Sequence, residues 1–207
     1  MVWIKRFLFI GLVIWLSSCA LALPKRILPV TGQVINQATG QPVEGAIIVM
    51  RWQGTGTMAF VDQHTECYHV ETATTDADGR FSTKSWREAS QYRNLGLKER
   101  MDTVYKAGYR HVRSKDGEYY LKRDKGRVEK RLEYLQWMAG YVSCGSEQNQ
   151  KDELLKLYES LYQEALEISN GSMKQRKILN SLKYSLDVLS VGWDEAQKRR
   201  AAGVYSR

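Results

Sequence analysis

The chain has 207 residues, 43% of them hydrophobic and 11% aromatic, and a formal charge of +8. So apolar a composition excludes a disordered polyelectrolyte, and the length allows one large domain or a small domain with an appendage. No Gly-x-Ser-x-Gly elbow, His-Glu-x-x-His pair or phosphate-binding glycine loop occurs, so no motif-borne hydrolase or nucleotide-binding chemistry is written into it.

Lys5 and Arg6 precede an apolar run, Phe7 to Leu16, and Leu16-Ser17-Ser18-Cys19 closes it with small residues before a cysteine. Ten apolar residues suit a secretory core, whereas a bilayer-spanning helix needs about 20. The segment resembles a bacterial lipoprotein signal. That resemblance implies removal of residues 1–18, lipidation of Cys19 and, with Ala20 following, sorting to the outer membrane on its periplasmic side. Ala20-Leu21-Ala22 also fits ordinary signal cleavage, which would release the chain into the periplasm. Either route exports the protein, so nucleic acid is not an expected partner. Residues 19–29, with two prolines between Leu23 and Pro29, read as a lipid anchor and tether.

From Val30 the pattern is strand-like. Val30 to Ile35 is β-rich, Asn36 to Pro42 forms turns, and Ala46 to Trp52 is apolar enough to be buried on both faces. Gly54-Thr55-Gly56 is expected to break that strand. Cys67 to Thr75 alternates, Asp76-Ala77-Asp78-Gly79 supplies a turn, and Arg80 to Thr83 returns as a hairpin partner. Val104 to Tyr109 reads as strand and turn, and Glu118 to Leu121 as a further strand or an extended connector.

Gly32-Gln33-Val34, then Thr39 to Ala46, Thr75 to Phe81 and Val104 to Tyr109 together carry a likeness. The stretch is similar to the carboxypeptidase regulatory-like domain, which implies a prealbumin-like (transthyretin-like) seven-stranded β-sandwich without a catalytic zinc site. Trp86 to Arg100 is longer than the usual link there and is expected to hold a short helix or loop.

After Gly126 the period becomes helical. Val128, Leu132, Leu135, Met138 and Val142 share one face, and Leu154, Leu157, Tyr158, Leu161, Ala165 and Ile168 share a second, which Asn170-Gly171 stops. Ser172 caps a third helix, with Gln175 placed as in a capping box, lined by Ile178, Leu179, Leu182, Leu186 and Leu189. Lys198 to Arg207 reads as a frayed basic end. The expected fold is thus α+β: a prealbumin-like antiparallel β-sandwich over residues 30–125, then a three-helix C-terminal region over 126–207.

In an oxidising compartment Cys67 and Cys144, the cysteines left besides Cys19, can pair, so a disulfide is expected, with two separate buried thiols as the alternative. His64, Glu66, Cys67 and His69 are the densest set of metal-ligand types. On a regular strand, however, Cys67 and His69 share a face that His64 and Glu66 do not, so no metal site is assigned. Asp76 to Gly79 imitates the start of a calcium loop whose later ligands are missing. Between Lys84 and Arg131 lie fifteen Lys and Arg against seven Asp and Glu, either a solvated face or an attraction for anionic head groups or acidic glycan. Trp52, Trp86, Tyr92, Tyr119 and Tyr120 could stack on sugar or peptide, with Lys122 beside them. These features point to a non-enzymatic cell-envelope lipoprotein acting as a binding or assembly module. Its membrane contact would run through the lipid anchor, its other partners would be envelope proteins or glycan, and no cofactor is implied. The alternatives are a carbohydrate- or peptidoglycan-binding module and, further off, a small metal-dependent hydrolase around His64 and His69.

Overall fold

The computed structural model describes residues 24–57, 63–92, 95–144 and 148–205. The signal segment, Cys19 and the side chain of His64 lie outside the described residues. Among the described residues two compact units are distinguished, one within 29–84 and 95–205, the other within 24–28 and 85–92.

The larger unit contains two sheets. β2 (Thr31–Asn36), β5 (Arg80–Ser82), β8 (Tyr109–Lys115) and β9 (Glu118–Arg123) form one, in the order β5-β2-β9-β8. β3 (Ile47–Thr57), β4 (Gln63–Thr74) and β7 (Lys98–Tyr105) form the other, in the order β4-β3-β7. Every pairing is antiparallel except β2 with β9, which run parallel, so the four-stranded sheet is mixed where an antiparallel one was expected. The two sheets bury Val34, Phe81, Tyr119 and Leu121 on one side and Ile48, Met50 and Val104 on the other. Tyr119 Oη donates to Asp102 Oδ2 at 2.6 Å, tying β9 to β7.

Gly54-Thr55-Gly56 does not end β3. Paired on both sides as far as Gly54, the strand has its backbone bonds supplied by neighbours, and this outweighs the weak strand propensity of glycine. Gly54 is instead a place of close approach, because a Cβ there would lie 2.9 Å from that of Leu95. The Asp76 to Gly79 turn forms as read: Asp76 Oδ1 accepts from the amides of Asp78 and Arg80, and Gly79 takes a φ of 70°.

Four helices follow: α1 (Val128–Tyr141), α2 (Gln148–Ile168), α3 (Met173–Ser190) and α4 (Trp193–Ala201). The alternation of β3 explains where the first three dock. Ile47 and Val49 point away from the sandwich, together with Val70 and Tyr105, and join Leu132, Leu135, Met138, Leu157, Leu161 and Leu182 in one buried cluster. A strand apolar on both faces is thus shared between two cores. Ser172 caps α3 by accepting from the Gln175 amide, but the Gln175 side chain accepts from Asn170 N at 2.8 Å and so bridges to the preceding turn.

Where a frayed end was expected, residues 198–205 are folded, and a fourth helix exists where three were expected. Asp187, 2% exposed, accepts from Tyr205 Oη at 2.7 Å and pairs with Lys183 and Arg199, so α4 and the tail fold back onto α3. A helix of nine residues is marginal alone and needs such a clamp.

A second buried carboxylate joins helices to sheets. Arg131 of α1 lies against Glu164 of α2, Nε to Oε1 and Nη2 to Oε2 both at 2.9 Å, with both residues at most 6% exposed. Glu164 also accepts from Tyr105 Oη at 2.8 Å and Gly108 N at 2.9 Å, and Arg131 donates to the carbonyls of Lys106 and Tyr109. Burial, and then the Glu164 charge, push the Tyr105 hydroxyl above its ordinary range, so it remains a donor. Glu153 closes the edge of β4 in the same way, accepting from Thr72 N at 3.1 Å and Thr72 Oγ1 at 2.8 Å and pairing with Lys84.

The smaller unit pairs β1 (Arg26–Ile27) with β6 (Trp86–Arg87), followed by a 3-10 turn at Ser90–Tyr92. Part of the expected tether is therefore a short strand, and the Trp86 to Arg100 segment, expected to hold a short helix or loop, carries β6, the 3-10 turn and the start of β7.

Glu164→Gln should lower stability by about 3–5 kcal/mol, because it leaves the Arg131 charge buried and half-partnered. Urea unfolding will show this as a fall in midpoint, and Arg131→Met with Glu164→Leu should recover much of it. For Asp187, burial raises the carboxyl pKa, but the hydrogen bonds from Lys183 and Tyr205 and the charges of Lys183 and Arg199 outweigh it, holding it below its ordinary 3.8. A depressed folded pKa means stability that is complete above about pH 4 and lost as pH falls through the folded value. The difference in Tm between wild type and Asp187→Asn should therefore be constant near neutrality and shrink in acid; a difference independent of pH would refute the role of the charge.

Candidate functional site

The outward face of the four-stranded sheet is strongly cationic. Strand alternation sends Val34, Phe81, Tyr119 and Leu121 inward, so their neighbours face out. Gln33 is opposite Arg80 and Glu118, Tyr120 opposite Ile35 and Arg113, and Lys122 opposite Arg110. Lys115 faces Glu118 across the β8–β9 pair. The strand positions of this face thus carry five cations, Arg80, Arg110, Arg113, Lys115 and Lys122, against Glu118, with Asp116 of the β8–β9 turn lining the same surface pocket as Arg80 and Glu118. Glu118 accepts from the Tyr120 hydroxyl, and that bond raises the pKa of Tyr120. The Arg113 guanidinium lies 4.0 Å above the Tyr120 ring, a cation–π contact that holds both flat on the sheet.

Arg110 and Lys122 are a directly opposed like-charge pair, which costs a sheet stability. Cations on an exposed edge strand such as β8 protect against unwanted strand pairing. That explanation covers Arg80 on the other edge strand, β5, as well, but it does not reach Lys122, which lies on the inner strand β9.

The sequence-predicted residues are divided among separate places. Tyr120 and Lys122 belong to this face. Trp52 and Tyr119 are 8% and 2% exposed, so they offer no stacking surface: both point into the sandwich, Tyr119 against Phe81 at 5.6 Å between ring centroids. Trp86 and Tyr92 lie in the smaller unit. The expected aromatic platform is therefore not assembled in this form. An aromatic row that sequence reading missed lies on α1, where exposed Trp137 (53%) stacks on half-buried Tyr141 with centroids 4.8 Å apart and has half-buried Tyr134 on its other side. Its spacing of three and four residues was the available signal.

Cys67 and Cys144 form a disulfide, with Cα atoms 5.1 Å apart, joining β4 to the segment after α1. The expectation that Cys67 and His69 share a face fails, because the register shifts between Trp52 and Gln53. Gln53 is opposite Cys67 and Trp52 opposite His69, so the bulge sends Cys67 to the helices and His69 toward the sandwich. His69 Nε2 is 3.0 Å from Glu71 Oε1 and its ring lies 5.5 Å from that of Trp52. Among the described residues no group of three or more His, Cys, Asp or Glu is arranged to hold a metal. Nor is any helix among them long and apolar enough to cross a membrane. Near the disulfide a cavity of about 460 Å³ lies among the helices, lined by Leu154, Tyr158, Tyr184, Leu189 and Trp193.

Comparison with protein-family models, with curated proteins and with solved structures gives no match. The surface, the disulfide and the fold are therefore the grounds on which function rests.

Proposed function

We propose that this chain is a non-enzymatic cell-envelope lipoprotein, exported by its N-terminal signal, held by lipid on Cys19, and acting as a binding or assembly module. The carboxypeptidase regulatory-like sandwich is its scaffold. The observation that carries the reading is the Cys67–Cys144 disulfide, which spans 77 residues and links a sheet to the helices. Such bonds persist in oxidising compartments and are rare where thiols are kept reduced, so the link supports the same export that the N-terminal residues suggest. A closed loop of this length also stabilises the folded state by about 4 kcal/mol in the chain-entropy view. The binding role draws on the outward sheet face, where Arg110, Arg113, Tyr120 and Lys122 present charge and a ring that the fold itself does not need.

Intact mass of the protein extracted from membranes, before and after reduction with thiol alkylation, tests this directly. The expected result is a chain beginning at acylated Cys19 in which two further thiols react only after reduction. A chain beginning at Leu23, or two thiols that react at once, would overturn it.

A further inference from the structure

We infer that the outward face of the β5-β2-β9-β8 sheet binds the phosphate groups of an anionic lipid surface, the membrane to which the chain is tethered; this rests on the envelope-anchored reading above. Three observations converge. The strand positions of the face hold five cations against Glu118, whose carboxylate already accepts from the Tyr120 hydroxyl, with Asp116 of the β8–β9 turn at its margin. Arg110 and Lys122 oppose one another with no acid between them in the pairing, a repulsion that an anion placed over the pair would relieve. Finally, β2 belongs to this same sheet and starts at Thr31, twelve residues after Cys19. That tether reaches at most about 40 Å, so a lipidated chain cannot carry the face far from the bilayer.

The residue types suit phosphate. A guanidinium offers paired N–H donors matched to two phosphate oxygens, and three of the five cations are arginines, Arg80, Arg110 and Arg113. The Arg113 guanidinium lies 4.0 Å from the centre of the Tyr120 ring, on a residue that is exposed. An open sheet face meets a plane of head groups at several points at once, as a concave pocket could not. Each cation brought to such a surface contributes about 5-fold in partition, and salt weakens the attraction.

The test uses the full chain with vesicles of phosphatidylcholine alone and of equal parts phosphatidylcholine and phosphatidylglycerol. The quantity read is the ratio of partition onto the anionic over the neutral vesicles, so any acyl anchor cancels. Wild type should favour anionic vesicles strongly in low salt and lose that preference in high salt. Arg110→Gln with Arg113→Gln and Lys122→Gln should lower the ratio about 100-fold. A control with the same loss of charge on the helices, Lys174→Gln with Lys177→Gln and Lys198→Gln, should lower it by less than about 5-fold. The urea midpoint of the face variant should equal or exceed that of wild type, since a like-charge pair is removed, which excludes misfolding as the cause. Equal losses in the two triple variants, or a wild-type ratio near one, would overturn the inference. An acylated chain with a ratio near one refutes the face alone; a chain that begins at Leu23 but keeps the ratio refutes the anchor alone.

Discussion

The Arg131–Glu164 pair is the contact on which the larger unit turns. Its members come from two helices, yet the groups that complete it come from the sheets and their connections: the Tyr105 hydroxyl, the Gly108 amide and the carbonyls of Lys106 and Tyr109 from β7, β8 and the turn between them, and Asp124, just after β9, whose carboxylate lies 3.6 Å from Arg131. Two charges removed from water need both their mutual bond and their outer hydrogen bonds to approach balance. Neither helices nor sheets alone can supply that set. The pair therefore adds little as an attraction and much as a condition: the docked arrangement is the one in which every donor and acceptor is met.

Around that condition, β3 divides its residues between two cores. Ile48 and Met50 fill the sandwich while Ile47 and Val49 meet the helices, so the central strand is covered on both sides. The helix side also takes Arg51, whose guanidinium lies 4.5 Å from the Tyr141 ring centre and donates to the Ser143 carbonyl. The bulge opposite Trp52 and Gln53 then aims Cys67 at the same side, where the disulfide adds a covalent tie. Packing, a buried ion pair and a cross-link thus act at successive points of one interface. The opposite sheet keeps an exposed outward face among the described residues, and it is there that Arg80, Arg110, Arg113, Lys115 and Lys122 collect.

Much of this was legible in the residues. The apolar run Ala46 to Trp52 announced a strand buried on both faces, the leucine periods placed three helices, and Asp76 to Gly79 announced its turn, because these features are local and repeat at the period of the structure they form. What stayed hidden depends on distant partners. The parallel pairing of β2 with β9 needs contacts across most of the sandwich, and nothing in either strand reports it. Gly54 and Gly56 looked like breakers because glycine's cost is local while the neighbouring strands that offset it are remote. Arg131 and Glu164 read as polar positions on amphipathic helices, and their burial follows only from docking. Tyr205 and Asp187 made the same difference at the C-terminus, turning a basic tail into a clamped helix. At the candidate site, Tyr120 and Lys122 were found by composition, whereas Trp52 and Tyr119 pointed inward because strand parity, and not residue type, decides which aromatic is exposed.

The central claim is that sheets and helices form one folding unit around the buried pair. Native-state hydrogen exchange read by mass spectrometry in rising urea tests it most directly, comparing peptides from β3 with peptides from α2. One unit requires the best-protected amides of both elements to converge on a single opening free energy with the same urea dependence. Helices that open at markedly lower urea while β3 stays protected would contradict it, and the pair would then be a local contact between two independent parts.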